Sequence, residues 1–203
     1  MSEEIIQSDY EACDELLRVG GSRNTFIEAN CERIDTWRKS ADLGDPRGQV
    51  VYGLCLFYGH GVDKDLVIAA QWFQKAAEQG DAQGEFSIGQ CYWLGWGVEE
   101  DEKTAVEWFT KSAEQGNAGG QVNLGKCYNS GWGVEEDHEK AVEWFIKSAE
   151  QGNSEGQFNL ARCYLNGQGV EEDHEKAVEW FIKSAEQGNS EGCLLYTSPS
   201  PRD

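Results

Sequence analysis

Carboxylate side chains recur in short runs and are the most numerous groups in this chain that could do chemistry. The runs cover residues 99–102, 135–137 and 171–173, and each follows a glycine-rich segment. A ladder of carboxylates could bind Ca²⁺ or a basic peptide, but the internal glycine and distal glutamate of a calcium-binding loop are missing. The simpler interpretation is a set of solvated loops whose negative charge favours the helix N-termini that follow. We therefore predict no metal site.

Cysteines recur once every 36 residues, at Cys55, Cys91, Cys127 and Cys163. Equivalent positions in stacked repeats should lie about one repeat apart, beyond the ~7 Å between Cα atoms that a disulfide can span. We expect these side chains to be small buried thiols in a reducing compartment. The sequence contains no C-x-x-C pattern and no Cys/His metal spacing, so it does not predict a zinc site.

The histidines do not form a catalytic set. His138 and His174 occupy equivalent positions, and His60 lies in the first glycine-rich segment. None has a serine or cysteine partner at the spacing of a nucleophile and its base. The G-x-G-V segments lack the further glycine, the lysine and the strand context of a phosphate-binding loop. The sequence thus predicts no catalytic residue and no cofactor-binding residue.

The elements that carry these residues follow from an internal repeat. From Gly44 the chain falls into blocks of 36 residues, and a fifth block starts over 188–192 before the pattern stops. A period of this length is typical of a solenoid, in which each block buries its apolar side chains only by stacking on its neighbours. The complete blocks cover residues 44–79, 80–115, 116–151 and 152–187.

Each block has the pattern of two helices, A and B, separated by a glycine-rich loop. In the third block Gly116 suits the left-handed position after a helix end, Asn117 caps helix A, and helix A runs to about Tyr128. Asp137 caps helix B, whose apolar stripe follows the helical period and includes the Trp-Phe pair that we expect to dominate the core. A glycine within helix A predicts close approach of a neighbouring helix at Gly48, Gly84, Gly120 and Gly156.

The block pattern G-[DN]-x-x-G-Q-x-x-L-G-x-C-Y-x-x-G-x-G-V-x-x-D-x-x-K-A-x-x-W-F-x-K-S-A-E-Q resembles the Sel-one-like repeat, a relative of the tetratricopeptide repeat. The resemblance covers Gly44 to Gly192. It implies an all-α fold, a right-handed α/α superhelix of tetratricopeptide-like type, and a role as an adaptor for protein complexes without shared catalytic residues. Some secreted relatives carry two cysteines per repeat. This chain has one, so their ladder of disulfides cannot form.

The two ends depart from the period. Within residues 1–43 only 34–41 match helix B, and we interpret 22–43 as a degenerate half-repeat that caps the stack, preceded by one more amphipathic helix over 8–19. Residues 193–203 leave the repeat register and resemble the translation of a sequencing adapter. We expect this tail to be foreign to the protein, and we expect the natural chain to continue with further repeats after Gly192.

Charge and hydropathy restrict the partners. The chain has 37 acidic and 17 basic residues, a net charge of −20. This balance argues against nucleic acid and anionic membrane surfaces and favours basic partners. No apolar signal segment follows Met1, and no stretch approaches the ~18 apolar residues of a membrane span. Together with the unpaired repeat cysteines, this predicts a cytoplasmic protein.

The helix A positions that differ most between blocks are the best candidate binding site. They are the fourth, eighth, eleventh and fifteenth residues of each block, and this spacing places them on one face of a helix. A face that is free to vary should not pack in the shared core. We predict that a protein or extended peptide binds there, and neutral drift on a solvated face is the alternative. The predicted binding residues on this face are Tyr58, Gln83, Ser87, Gln90, Leu94, Asn123, Lys126, Asn159, Arg162 and Asn166, and Trp93 beside the face is a predicted aromatic anchor.

Three functions are compatible with these features. The first is a non-catalytic scaffold or adaptor, which the repeat and the resemblance favour. The second is the regulatory repeat region of a longer multidomain enzyme such as a protein kinase. The third is a hydrolase activity of the kind suggested for cysteine-rich relatives, but no nucleophile and base are present at a suitable spacing to support it.

Overall fold

The computed structural model describes residues 27–187, and all regular structure in this range is helical. The chain divides into two compact units, Met1–Ser112 and Ala113–Asp203. The possible helix over 8–19, the start of a fifth block and the tail at 193–203 lie outside the described residues. So do residues 22–26 of the capping half-repeat predicted over 22–43, whose capping role stays a prediction.

The first unit consists of helices that pack in the order of the sequence. A 3₁₀ turn at Cys31–Arg33 leads into α1 (Ile34–Asp42). The next helices are α2 (Pro46–Tyr58), α3 (Leu66–Glu78) and α4 (Ala82–Leu94), and α5 (Glu102–Glu114) ends two residues beyond the boundary of the unit. α2 packs between α1 and α3, and α4 packs on α3. Helices A and B of the first two blocks are thus α2 to α5.

The second unit repeats the same arrangement. Its helices are α6 (Ala118–Ser130), α7 (His138–Glu150), α8 (Ser154–Asn166) and α9 (His174–Glu186), each of 13 residues. Helix α8 packs against both α7 and α9. Helix A of the third block is therefore two residues longer than the sequence predicted, since it continues past Tyr128 to the glycine of the loop.

The predicted helix caps are confirmed. The Asn117 side chain accepts a hydrogen bond from the backbone N–H of Gly120 at 2.9 Å, which satisfies one of the free donors at the start of α6. Helix α6 ends where Gly131 adopts φ +69°, a left-handed conformation that favours glycine. Asp137 accepts from the backbone N–H of Lys140 at 3.0 Å and begins α7. Local sequence signals thus fix both ends of these helices.

The core of each unit is built on the phenylalanine of each Trp-Phe pair. Phe73, Phe109 and Phe145 are almost completely buried. Trp72, Trp108 and Trp180 also pack against the core, but the tryptophans do not dominate it as predicted, because they are only half-buried at its edge. Each tryptophan instead lies beneath the lysine three residues later, and the Trp144 ring is 3.8 Å from Lys147 Nζ. The ring thus contributes a cation–π contact as well as apolar burial.

The glycines within helix A mark the closest helix contacts, as predicted. A Cβ placed on Gly156 would come within 2.6 Å of the Ser148 hydroxyl oxygen, and one on Gly84 within 2.7 Å of the Ala76 Cβ. No real side chain tolerates such distances without a shift of its neighbours. The backbones of consecutive helices B and A therefore approach each other at these glycines.

Polar side chains connect each helix B to the helix A that precedes it. The Ser148 hydroxyl donates to the carbonyl of Ala118 at 3.0 Å, and the Gln151 amide donates to Gln121 Oε1 at 2.7 Å. The fourth repeat repeats the second bond between Gln187 and Gln157 at 2.9 Å. Because these groups are buried or half-buried, the bonds satisfy polar atoms that would otherwise destabilise the stack.

Candidate interaction face

The variable positions of helix A lie along one side of α2 and α4 in the first unit. Tyr58 and Leu94, at equivalent positions, are 45% and 44% exposed. Gln83 and Gln90 are half-buried, and Ser87 is buried and accepts a hydrogen bond from Gln83 Nε2 at 3.3 Å. We call the variable helix A positions of a unit its variable face. In the first unit this face has an apolar, exposed rim and a buried polar centre.

A cavity of about 230 Å³ opens in the variable face of the first unit. It brings together three predicted binding residues, Tyr58, Ser87 and Gln90, and also Leu54, another variable position. The other four lining residues, which were not predicted as binding residues, are Phe57, Phe73, Cys91 and Trp96.

Aromatic rings form much of the cavity wall. The Phe57 ring centroid lies 5.0 Å from that of Trp96 and 4.9 Å from that of Tyr58, both edge-to-face. Tyr58 in turn stacks on His60 with centroids 5.7 Å apart. These contacts hold the rings in the preferred geometry of aromatic pairs. The ring contacts thus define the shape of the cavity wall.

Trp93, predicted as an aromatic anchor, does not line this cavity. Its ring packs edge-on against buried Phe109 at 6.0 Å and is half-buried. Trp96, three residues later in the glycine-rich loop, contributes the aromatic surface instead.

The variable face of the second unit is polar. Lys126 and Glu155 form an ion pair between α6 and α8. Asn159 Nδ2 donates to the backbone carbonyl of Glu155 at 2.8 Å, while Arg162 and Asn166 are exposed. Lys126, Asn159, Arg162 and Asn166 thus lie on the accessible part of this face.

Asn123 is the exception on that face, because only 5% of it is exposed. Its Nδ2 atom is buried and has no hydrogen-bond partner.

One expectation about the variable positions is wrong. Val51, the eighth residue of the first block, is buried and packs in an apolar cluster with Ile27, Trp37 and Cys55. The eighth position is buried in the first three repeats, at Val51, Ser87 and Asn123, and is partly exposed only at Asn159 of the fourth, so much of the variation there reflects different packing in different repeats. Only the fourth, eleventh and fifteenth positions are accessible in every repeat.

As predicted, the repeat cysteines are buried, and none of them forms a disulfide within the described residues: Cys55, Cys91, Cys127 and Cys163. Burial raises the pKa of the Cys55 and Cys91 thiols to about 12 and that of Cys163 to about 11. The nearby Cys31 adds to the effect at Cys55, and Arg162 opposes it at Cys163. These thiols stay protonated near neutral pH, so they are poor nucleophiles and poor metal ligands.

The acidic loops serve the helix ends. Asp137 and Asp173 lie at the N-caps of α7 and α9, where hydrogen bonds from the backbone N–H and side chain of Lys140 or Lys176 hold their pKa values below the usual range. The Lys140 ammonium lies 2.9 Å from Asp137. Within residues 27–187 no group of three or more His, Cys, Asp or Glu side chains is arranged to hold a metal ion. The described helices also include none that is long and apolar enough to cross a bilayer.

Comparison with known proteins agrees with this geometry. The model of the Sel1 repeat family matches residues 46–81, 82–117, 118–153 and 154–189, a phase two residues later than the blocks defined above. A Sel1 repeat protein from Oxalobacter formigenes is 31% identical over 87% of this chain and 68% of its own, with a TM-score of 0.77. No protein with a curated functional description matches the sequence.

Two further solved structures share the fold. A protective antigen from uropathogenic Escherichia coli is 34% identical with a TM-score of 0.73, and the alignment covers 86% of this chain but 40% of the antigen. An immunity protein from Pseudomonas aeruginosa, at 20% identity and a TM-score of 0.62, covers 92% of this chain and 67% of its own and shows the fold alone. The four matches of the family model to this chain, together with these solved structures, confirm the predicted all-α repeat fold. The chain belongs to the Sel1 repeat family.

Proposed function

We propose that this chain is a non-catalytic scaffold or adaptor that binds a protein or an extended peptide through the variable face of its repeats. Sel1 repeat proteins are commonly protein-interaction scaffolds, and their fold generally carries no catalytic site. The observation that carries the proposal is the cavity of about 230 Å³, which opens among variable positions rather than in the acidic loops. Stacked repeats present such faces to extended ligands.

The loop carboxylates and the repeat thiols have structural roles, which supports a binding role for the variable face. The N-cap carboxylates Asp137 and Asp173 are already engaged by backbone N–H groups and lysines. The repeat thiols are buried, and the raised pKa values of Cys55, Cys91 and Cys163 keep those three protonated near neutral pH. These groups therefore stabilise helices and fill the core, and the exposed variable positions remain as the surface for a partner.

A cytoplasmic location is part of this proposal. One buried cysteine in each repeat, not joined in a disulfide, is the pattern expected in a reducing compartment, where thiols stay reduced.

The proposal is tested by partner capture with two sets of variants. The first set removes accessible variable side chains: Tyr58→Ala with Leu94→Ala in the first unit, and Lys126→Ala with Arg162→Ala in the second. The control set is Glu135→Gln with Glu136→Gln, which removes exposed loop charge. Tagged wild type and variants are compared by quantitative mass spectrometry of proteins captured from lysate, and melting temperatures verify folding.

We expect the variable-face variants to lose the captured partner while their melting temperatures stay near the wild-type value, because the buried phenylalanines are untouched. The loop variants should retain the partner at physiological salt, since exposed charges are screened over about 8 Å. Loss of capture in the loop variants, with full capture in the variable-face variants, would contradict the proposal and assign binding to the acidic loops.

A further inference from the structure

We infer that the cavity in the variable face of the first unit receives one uncharged aliphatic or aromatic side chain from an extended, basic segment of a partner protein. This inference rests on the proposed scaffold function and names the chemistry that its first unit recognises. It depends on the size of the cavity, on its lining and on the charge around it.

The size of the cavity suits a single side chain. Its volume of about 230 Å³ lies below the roughly 300–1,000 Å³ of sites for drug-sized small molecules. The cavity is open to the surface between α2 and α4. A partner segment that lies along the variable face can therefore insert one side chain while its backbone stays at the surface. A cavity of this size and position is an anchor site for a peptide rather than a cofactor site.

The lining excludes a charged group. No lining residue carries a formal charge, and aromatic, aliphatic and thiol groups dominate over the hydroxyl of Ser87 and the amide of Gln90. The Cys91 thiol at the cavity is buried, and its pKa of about 12 keeps it neutral. An inserted ammonium or carboxylate would lose its hydration without gaining a counter-charge, which is costly. An apolar or aromatic side chain gains contact with Phe57 and Trp96 instead.

The polar groups at the cavity can hold the backbone of the same segment. The Gln90 amide is half-buried and both donates and accepts hydrogen bonds. Ser87 already accepts from Gln83, so its own hydroxyl proton remains to be donated. A backbone carbonyl beside the inserted side chain is a suitable acceptor for these groups.

Charge complementarity specifies the residues around the anchor. The chain carries a net charge of −20, which attracts basic segments. Trp96 of the cavity wall is followed within the same loop by the exposed carboxylates of Glu99 and Glu100. Lysine or arginine residues that flank the anchor in the partner are therefore favoured over acidic ones.

Among the described residues of the second unit, charged side chains occupy two of the positions equivalent to the cavity lining. The positions of Leu54 and Gln90 are occupied there by Lys126 and Arg162, and Lys126 is paired with Glu155. An apolar side chain inserted at this place would meet charged groups. The anchor is thus specific to the first unit.

The test uses four designed peptides and the full chain. Each probe is a capped nonapeptide of Gly, Ser and two flanking Lys residues, and its central residue is Leu, Phe, Ala or Glu. Binding is measured by isothermal titration calorimetry, and a version with a central photoreactive leucine is cross-linked and mapped by mass spectrometry. We expect the Leu and Phe peptides to bind at least about tenfold more tightly than the Ala peptide, with the Glu peptide weakest. The cross-links should fall on α2, α4 and the loop that carries Trp96.

The chain provides a matched pair of variants. Tyr58 lines the cavity, whereas Leu94 occupies the equivalent position of the next repeat, is equally exposed and does not line it. Tyr58→Ala should reduce the preference for Leu and Phe over Ala to less than threefold. Any loss of binding in Leu94→Ala should affect all four peptides equally and leave the preference unchanged, because Leu94 does not line the cavity. Because both side chains are exposed, both variants should fold, and circular dichroism confirms this.

Several outcomes overturn the inference. These are equal binding of the four peptides, no binding up to about 1 mM, tighter binding of the Glu peptide, or a preference that survives Tyr58→Ala. Sedimentation that shows self-association lost in Tyr58→Ala would assign the cavity to a second copy of this chain.

If the peptides do not discriminate while partner capture still depends on the variable face, the anchor is refuted and the scaffold function stands. If the peptides discriminate while capture depends only on the loops, the scaffold proposal fails and the anchor stands.

Discussion

Gly125 of α6 lies directly against the ring of Phe145 in α7. A Cβ added to Gly125 would come within 2.6 Å of the ring carbon Cε1 and 2.8 Å of Cδ1. Phe145 is only 2% exposed, so the ring has little room to move away. The third repeat thus depends on a missing side chain in helix A to accommodate the largest buried side chain of helix B.

Gly125→Ala should therefore destabilise the protein, although alanine is the better helix former by about 1 kcal/mol. Overpacking of a well-packed core costs about 1–3 kcal/mol, and the clash with Phe145 should dominate. We expect a lower melting temperature by circular dichroism. The loss should shrink in a Phe145→Leu background, where the ring is absent, and Ser130→Ala on the exposed end of the same helix should have little effect. A higher melting temperature for Gly125→Ala would contradict the clash.

Glu85 occupies a buried position where the other repeats have glutamine. It is 4% exposed, and its counterparts Gln121 and Gln157 each donate from Nε2 to a backbone carbonyl at 3.3 Å. A carboxylate has no proton to donate, so Glu85 cannot form this bond. Because glutamine restores this donor and its amide oxygen can still accept hydrogen bonds as the carboxylate does, we expect Glu85→Gln to raise the free energy of unfolding by about 1 kcal/mol, or the melting temperature by a few degrees.

The reverse change provides the control for this position. Gln121→Glu should lower the melting temperature, because it removes the donor to Ala113 and buries a carboxylate in the second unit. If Glu85→Gln is destabilising instead, the carboxylate has a stabilising charged interaction that outweighs the lost donor.

Much of this architecture could be predicted because its determinants are local. The caps at Asn117 and Asp137 depend on residues within one turn of the helix, and both predictions are confirmed. The helical period also identified Phe145 as a core residue. It could not show that Trp144 lies at the edge of that core, because the width of the buried stripe depends on how closely the next helix approaches.

The cavity could be predicted only in part for the same reason. Variation between repeats pointed to Tyr58, Ser87 and Gln90, which the structure brings together. Trp96 reaches the cavity from a loop of the following repeat, and that depends on packing between repeats rather than on any pattern within one. The sequence signal that could have identified Trp96 is that the second position of the G-x-G-V loop is tryptophan only in the second and third repeats.

The N-cap aspartates should make stability depend on pH in the acid range. Hydrogen bonds from Lys140 lower the pKa of Asp137 in the folded protein. The Asp137 carboxylate therefore stabilises the fold fully above the unfolded pKa of about 3.9, and this stabilisation is lost as the pH falls through the lower pKa of the folded state. Asp137→Ala should therefore lower the melting temperature at about pH 7, and the difference from wild type should decrease below about pH 4. Glu135→Ala in the same exposed loop serves as the control and should show no such trend. A deficit in Asp137→Ala that stays constant down to about pH 2 would rule out the charged cap as its cause.

The repeat cysteines should report the opening of the stack. Cys55 and Cys91 are 0% and 1% exposed, and desolvation raises the pKa of each to about 12, so the reactive thiolate is scarce at about pH 8. Cys31 is partly exposed and provides an internal reference in the same molecule. When native protein is treated with iodoacetamide and its peptides are quantified by mass spectrometry, we expect Cys31 to be alkylated before Cys55 and Cys91. The repeat cysteines should be alkylated only as urea unfolds the helices, in step with the loss of the helical circular dichroism signal. Rapid alkylation of Cys55 or Cys91 in the absence of urea would mean that the stack opens locally at these repeats, and the rates would then measure that opening.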